Sequence, residues 1–182
     1  MTGLPEKPDA LILGSAGTLF IRQASNRGYQ VWNLAIQPPS RGNRELPRSL
    51  GEVSAVSGDG QTLITRDGSG VSDRRYYLWD ARDIFHPRQL TQLPVAPGGN
   101  RPQFSGDGNL VVFSSFNTVQ LIDISDRNVS RAIATLTTHD FPKSVVLGEN
   151  RHWLILVDIN NRVNLWDIDV ETVVQRVSPN SR

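Results

Sequence analysis

Residues Val56–Ile64 read VSGDGQTLI, and residues Phe104–Val112 read FSGDGNLVV. In each, a short apolar run enters a Ser-Gly-Asp-Gly turn and a second apolar run leaves it. That is the pattern of a β-hairpin, with Gly and Asp serving the turn and the flanking runs serving paired strands. Two looser copies follow the same plan: LILGSAGTLFI at Leu11–Ile21 and VVLGENRHWLIL at Val145–Leu156. The last turn residues, Gly17, Gly60, Gly108 and Asn150, stand 43, 48 and 42 residues apart. A second marker trails each turn: YQVWNL, YYLWDA, VQLIDI and VNLWDI, with Trp32, Trp79, Ile122 and Trp166 spaced 47, 43 and 44 residues apart. Two independent markers sharing one period identify an internal repeat.

Within each unit the local pattern is strand. Tyr29–Leu34, Tyr76–Asp80, Thr118–Asp123 and Arg162–Asp167 are short and rich in β-branched, aromatic and aliphatic residues. Arg88–Leu93, Arg131–Leu136 and Thr172–Val177 close the later units, with a vaguer run near Glu45–Leu50 closing the first. No stretch keeps a helical apolar period over three turns. Four strands in a unit of about 40–45 residues is the arithmetic of a β-propeller blade. The expected fold is therefore all-β, with four four-stranded antiparallel blades at about 10–50, 51–95, 99–138 and 140–178.

Composition narrows the work such a chain can do. Its 182 residues carry 19 basic and 18 acidic side chains, a formal charge of +1. That balance favours neither nucleic acid nor a membrane surface as partner. The absence of Cys excludes disulfides, thiol catalysis and cysteine-held zinc. No apolar run approaches the 18–20 or so residues that a membrane helix needs, and the N-terminal residues lack the pattern of a signal peptide. A cytoplasmic location is expected.

The phased endings LWD at Leu78–Asp80 and Leu165–Asp167, with degenerate copies VWN at Val31–Asn33 and LID at Leu121–Asp123, resemble the WD40-repeat propellers. The resemblance covers the chain from about Ala10 to Val177. It implies blade-structural roles for Trp32, Trp79, Trp166, Asp80, Asp123 and Asp167, for the tight-turn residue Asp73, and for His139. It also has gaps. The family's Gly-His before the first strand of a repeat is missing, and the tight-turn place holds Asn26, Phe116 and Asn160 in the other units. The family's His–Ser/Thr–Asp–Trp hydrogen-bond network is thus expected to be incomplete in every blade.

The family's common ring has more blades than four, and its closed rings usually begin with an outer strand that completes the last blade. Met1–Asp9, with two prolines, is a poor strand candidate, and the first plausible strand is Ala10–Gly14. Terminal blades of an open array expose apolar faces, so the expected arrangement is part of a larger or dimer-closed ring. Further blades, another chain or a second copy would each serve, and a closed four-blade ring is a further alternative.

Candidate chemistry is sparse. His86, His139 and His152 stand far apart, and no HExxH, His-x-His or GxSxG motif occurs. Asp59, Asp80, Asp107 and Asp167 fall at repeat-equivalent places, which suits turns and strand ends better than catalysis. The two Gly-Asp-Gly turns precede strands, so no helix N-terminus follows to hold a phosphate. The expected function is non-catalytic protein–protein recognition, as a scaffold or sensor part of a signalling assembly, with no cofactor or metal. Arg74, Arg75, Arg82 and Trp153 are the candidate partner-binding residues. The rival is a propeller hydrolase or lactonase, which would need polar residues converging from the inner strands.

Overall fold

The computed structural model describes residues 8–13, 18–23, 29–33, 40–46, 48–68, 70, 73–96, 100–148, 153–168 and 173–176. Among them are sixteen strands in four antiparallel sheets and no α-helix. The first sheet holds β1 (Pro8–Leu13), β2 (Thr18–Gln23), β3 (Tyr29–Asn33) and β4 (Ser40–Glu45). The second holds β5 (Glu52–Val56), β6 (Thr62–Asp67), β7 (Arg75–Asp80) and β8 (Arg88–Gln92). The third holds β9 (Asn100–Phe104), β10 (Leu110–Ser115), β11 (Thr118–Asp123) and β12 (Arg131–Thr137). The fourth holds β13 (Pro142–Leu147), β14 (Trp153–Asp158), β15 (Val163–Ile168) and β16 (Val173–Arg176). Each sheet is an up-and-down meander in chain order. First strands lie side by side, β1 by β5, β5 by β9 and β9 by β13. Together these features make a propeller-like fold.

The Ser-Gly-Asp-Gly turns show why the motif recurs. Ser57 Oγ donates to Asp59 Oδ1 at 2.5 Å, and that carboxylate accepts the Gln61 backbone N–H at 2.9 Å. Thr62 N–H donates back to Ser57 Oγ at 2.9 Å, and Gly60 takes φ 74°, a left-handed conformation that glycine adopts without strain. Ser105, Asp107, Asn109, Leu110 and Gly108 (φ 69°) repeat the arrangement. The first and fourth turns, with Gly17 and Asn150, lie outside the described residues, as does Asn26.

Packing is sheet on sheet. Tyr29, Val31, Leu46 and Leu50 of the first unit meet Val53, Leu63 and Ala81 of the second. Ile64, Tyr76 and Leu78 on the second sheet's other face meet Val111, Phe113 and Ile122 of the third. Tyr76 and Phe113 sit edge to face with ring centroids 4.8 Å apart. Leu110, Val112, Val119 and Leu121 then meet Leu154, Leu156 and Trp166 of the fourth. β6 and β10 are consequently buried on both faces, each large apolar side chain contributing about 1.5–3 kcal/mol.

Two expectations need correcting. The first strand starts at Pro8, inside the stretch judged poor for a strand. Proline is tolerated at a strand's first residue, and a register shift between Pro8 and Ala10 accommodates it. The first unit's closing strand is Ser40–Glu45, upstream of the apolar run; residues Arg48–Leu50 form a 3-10 turn instead. The outer strand pairs on one side alone, with β3, so polar residues serve there.

Candidate functional site

Two clefts among the described residues lie at opposite ends of the strands. The smaller, about 330 Å³, lies between the second and third sheets and is lined by Asp59, Asp80, Arg82, Arg88, Arg127 and their neighbours. Its charges are spent internally. Asp80 accepts from Arg82 through the backbone N–H, Nε and the terminal guanidinium nitrogen, the last at 2.5 Å. These bonds hold its carboxyl down to about 2. Arg127 donates to the Gly108 carbonyl at 2.7 Å and so ties one turn to the next. This end reads as structure.

The larger cleft, about 790 Å³, opens at the other end, where loops of the second, third and fourth sheets gather. Arg66 and Arg74 come from the second sheet's β6–β7 hairpin, and Ser114, Ser115 and Phe116 from the third's β10–β11 hairpin. Phe141, Pro142 and Lys143 enter the fourth sheet. The described lining carries three cationic side chains and no carboxylate, although Glu52 pairs with Arg66 and Lys143 Nζ donates to Asn161 Oδ1 at 3.0 Å. At the mouth stand Phe116, 61% exposed, and Phe141, 52% exposed, with ring centroids 6.3 Å apart and planes at 66°. Ile159, also exposed, adjoins them, its N–H donating to the Phe141 carbonyl at 3.0 Å.

Several bonds fix this apolar tip. Phe116 occupies the two-residue turn between Ser115 and Thr118, which pair directly. Thr138 N–H donates to the Asn117 carbonyl at 2.7 Å, and Thr138 Oγ1 donates to the Asp140 carbonyl at 2.8 Å. The Asp140 carboxylate is bonded by the Asn160 side chain, by His139 and by Arg162, which together lower its pKa. Phe141 precedes Pro142 and is held extended by it. The two phenyl rings thus sit on tied loops, the condition for binding with little ordering cost.

The structure disperses the residues singled out from sequence. Of the partner-binding candidates, Arg74 lines the large cleft, Arg82 lines the small one, and Arg75 is exposed at the start of β7. Trp153 lies on a separate surface, the outward face of the fourth sheet. Trp32 and Trp166 are buried, and Trp79 is partly buried, with its Nε1 donating to Thr65 Oγ1 at 2.7 Å. Asp123 accepts from Ser125 N–H at 2.8 Å, Asp167 stands opposite Trp153 in the ladder, and Asp73 is exposed beside Gly70. His139 is not inside a blade: it is exposed, its Nδ1 3.1 Å from Asp140. Phe141, Lys143 and Arg66 escaped the sequence reading, and Phe116 registered there as a departure from the tight-turn acid. A large aromatic at an open turn was the available signal. Among the described residues no three of His, Asp and Glu stand together as a metal-ligand set, and no helix is long and apolar enough to cross a membrane.

No family model and no curated protein matches the chain. Solved structures do. A functionally unknown protein from Desulfotomaculum acetoxidans superposes with a TM-score of 0.63 at 12% identity, over 91% of this chain and 56% of its own. A chain of the mitotic checkpoint complex gives 0.64 at 14% identity, over 97% and 53%. A Bacteroides fragilis protein assigned as a 6-phosphogluconolactonase gives 0.64 at 10% identity, over 94% and 55%. The chain spans about half the length of these structures, and at such identities the likeness is one of fold, all-β and propeller-like.

Proposed function

We propose that the chain is a WD40-type protein-interaction module, a scaffold or sensor part of a cytoplasmic signalling assembly. It takes an acidic, aromatic-bearing segment of a partner protein into the large cleft. The observation that carries this reading is the Phe116–Phe141 pair at the mouth of a cleft lined by Arg66, Arg74 and Lys143. Exposed phenylalanines on tied loops gain nothing for the isolated fold, yet they supply rigid apolar anchors for a partner. The cationic lining beside them selects acidic residues and speeds their approach. Binding of this kind needs no cofactor and no covalent step. The phased Trp-Asp endings and the propeller fold support the family assignment.

A phage-displayed library of random peptides tests the reading on the intact chain. Selected peptides are expected to share an aromatic residue flanked by Asp or Glu, and to bind at least tenfold more weakly to Phe116→Ser and Phe141→Ser. Selected peptides that ignore both substitutions, or selection yielding none, would overturn it.

A further inference from the structure

The large cleft combines two kinds of chemistry in one opening. The exposed rings of Phe116 and Phe141 stand at its mouth, set edge to face. Its walls carry Arg66, Arg74 and Lys143 together with the hydroxyls of Ser114, Ser115 and Ser144. All six of these side chains can donate hydrogen bonds, and the described lining holds no carboxylate. Glu52, outside the lining, pairs with Arg66 Nη2 and engages one of that guanidinium's five N–H donors. Lys143 donates to the neutral amide of Asn161, a bond that leaves its charge uncancelled. Three cations less the Glu52 carboxylate give the cleft a formal charge of +2. A carboxylate ligand would offset half of that charge. A phosphate monoester carries about −1.5 to −2 at pH 7 and brings three strong acceptor oxygens, so it matches both the charge and the donors.

We propose that the acidic and aromatic groups taken by this cleft belong to one side chain, a phosphotyrosine of the partner protein. The inference rests on the peptide-binding role proposed for the cleft and names the ligand of that site. An aryl phosphate joins its ring to its dianion through a single oxygen, so one residue meets the phenyl pair and the cations together. The tyrosine ring packs on Phe116 and Phe141 in the offset or edge-to-face arrangements that aromatic groups prefer. The phosphate oxygens accept from the two guanidinium groups, whose planar forks suit phosphate, and from Lys143 and the serine hydroxyls. Phosphoserine presents the same dianion without a ring and leaves the phenyl pair unused. A nucleotide presents a ring too, but the polar edge of its base would meet two phenyl rings and Ile159, whose side chains offer neither donor nor acceptor. Thr138 bonds to the carbonyls of Asn117 and Asp140 and ties the two phenylalanine loops before any ligand arrives.

Peptide arrays probed with the intact chain test this, each array carrying random flanks around a central phosphotyrosine, tyrosine, phosphoserine or glutamate. The phosphotyrosine array is expected to retain about tenfold more chain than any other. In solution, the best phosphotyrosine peptide should bind about tenfold more weakly to Lys143→Gln and to Phe116→Ser. Both residues are exposed, so neither replacement disturbs the core. Phenyl phosphate should displace that peptide at concentrations where adenosine 5′-monophosphate does not. Phosphoserine retained as well as phosphotyrosine would sink the inference, as would equal displacement by the nucleotide or an undiminished affinity in Lys143→Gln. Peptides bound through Phe116 with no gain from phosphate would sink it and leave the peptide-binding role standing. Binding to none of the arrays would sink both.

Discussion

Thr65 is fully buried, and its hydroxyl accepts the indole N–H of Trp79. The bond joins adjacent strands of one sheet. In the first sheet Ile21 holds the register position of Thr65, and the buried Nε1 of Trp32 has no partner among the described residues. The two sheets thus differ at one register position. Thr65→Val keeps the shape and removes the acceptor, leaving a polar N–H unpaired near the core. A loss of about 1–3 kcal/mol is expected, read as a lower urea midpoint with an unchanged slope. An unaltered midpoint would show that the bond contributes nothing. Asp80 makes a second residue-scale case. Its carboxyl is held down to about 2, first by the Arg82 side chain and then by the Arg82 backbone N–H. A depressed native pKa favours the charged, folded form. The contribution is therefore present above the unfolded value near 3.9 and lost as pH falls toward 2. Asp80→Asn should flatten the fall of the unfolding midpoint across that window, less so in high salt because Arg82 is exposed. Parallel pH curves for the two proteins would contradict this.

Hairpins were legible where chemistry is local, and strands were lost where it is not. Ser57, Asp59 and Gly60 close their turn through their own side chains and backbone, so four letters announce it. The third strands, β7 and β11, lie at the middle of their sheets and must be apolar, so Tyr76–Asp80 and Thr118–Asp123 stood out. β4 spells SRGNRE and borders a sheet; pairing with β3 on one side alone demands no apolar pattern. Its sequence therefore resembles a connection. The cleft was legible in part for a related reason. Arg74 could be picked out as one of a basic cluster, but Phe141 and Lys143 acquire meaning only beside Phe116 and Arg66. Those four residues come from three sheets, and no local pattern records how three sheets stand together.

Side-by-side sheets make the molecule a one-dimensional array, in which each unit is stabilised by its own ladder and by its neighbours' faces. The second and third sheets have neighbours on both sides, whereas the fourth has its outward face bare. β11 and β15 are each hydrogen-bonded to strands on both sides, so the difference between them lies in packing. Val119 is fully buried, while its counterpart Val163 is more than half exposed. Local opening free energy follows buried apolar contact, so amide exchange separates the two strands where ladder hydrogen bonding cannot. β15 amides should exchange faster than β11 amides by at least an order of magnitude, about 1.4 kcal/mol. Equal protection of both strands would mean that the sheets open as one cooperative unit. The array description of this arc would then be wrong, because a bare face would carry no local penalty.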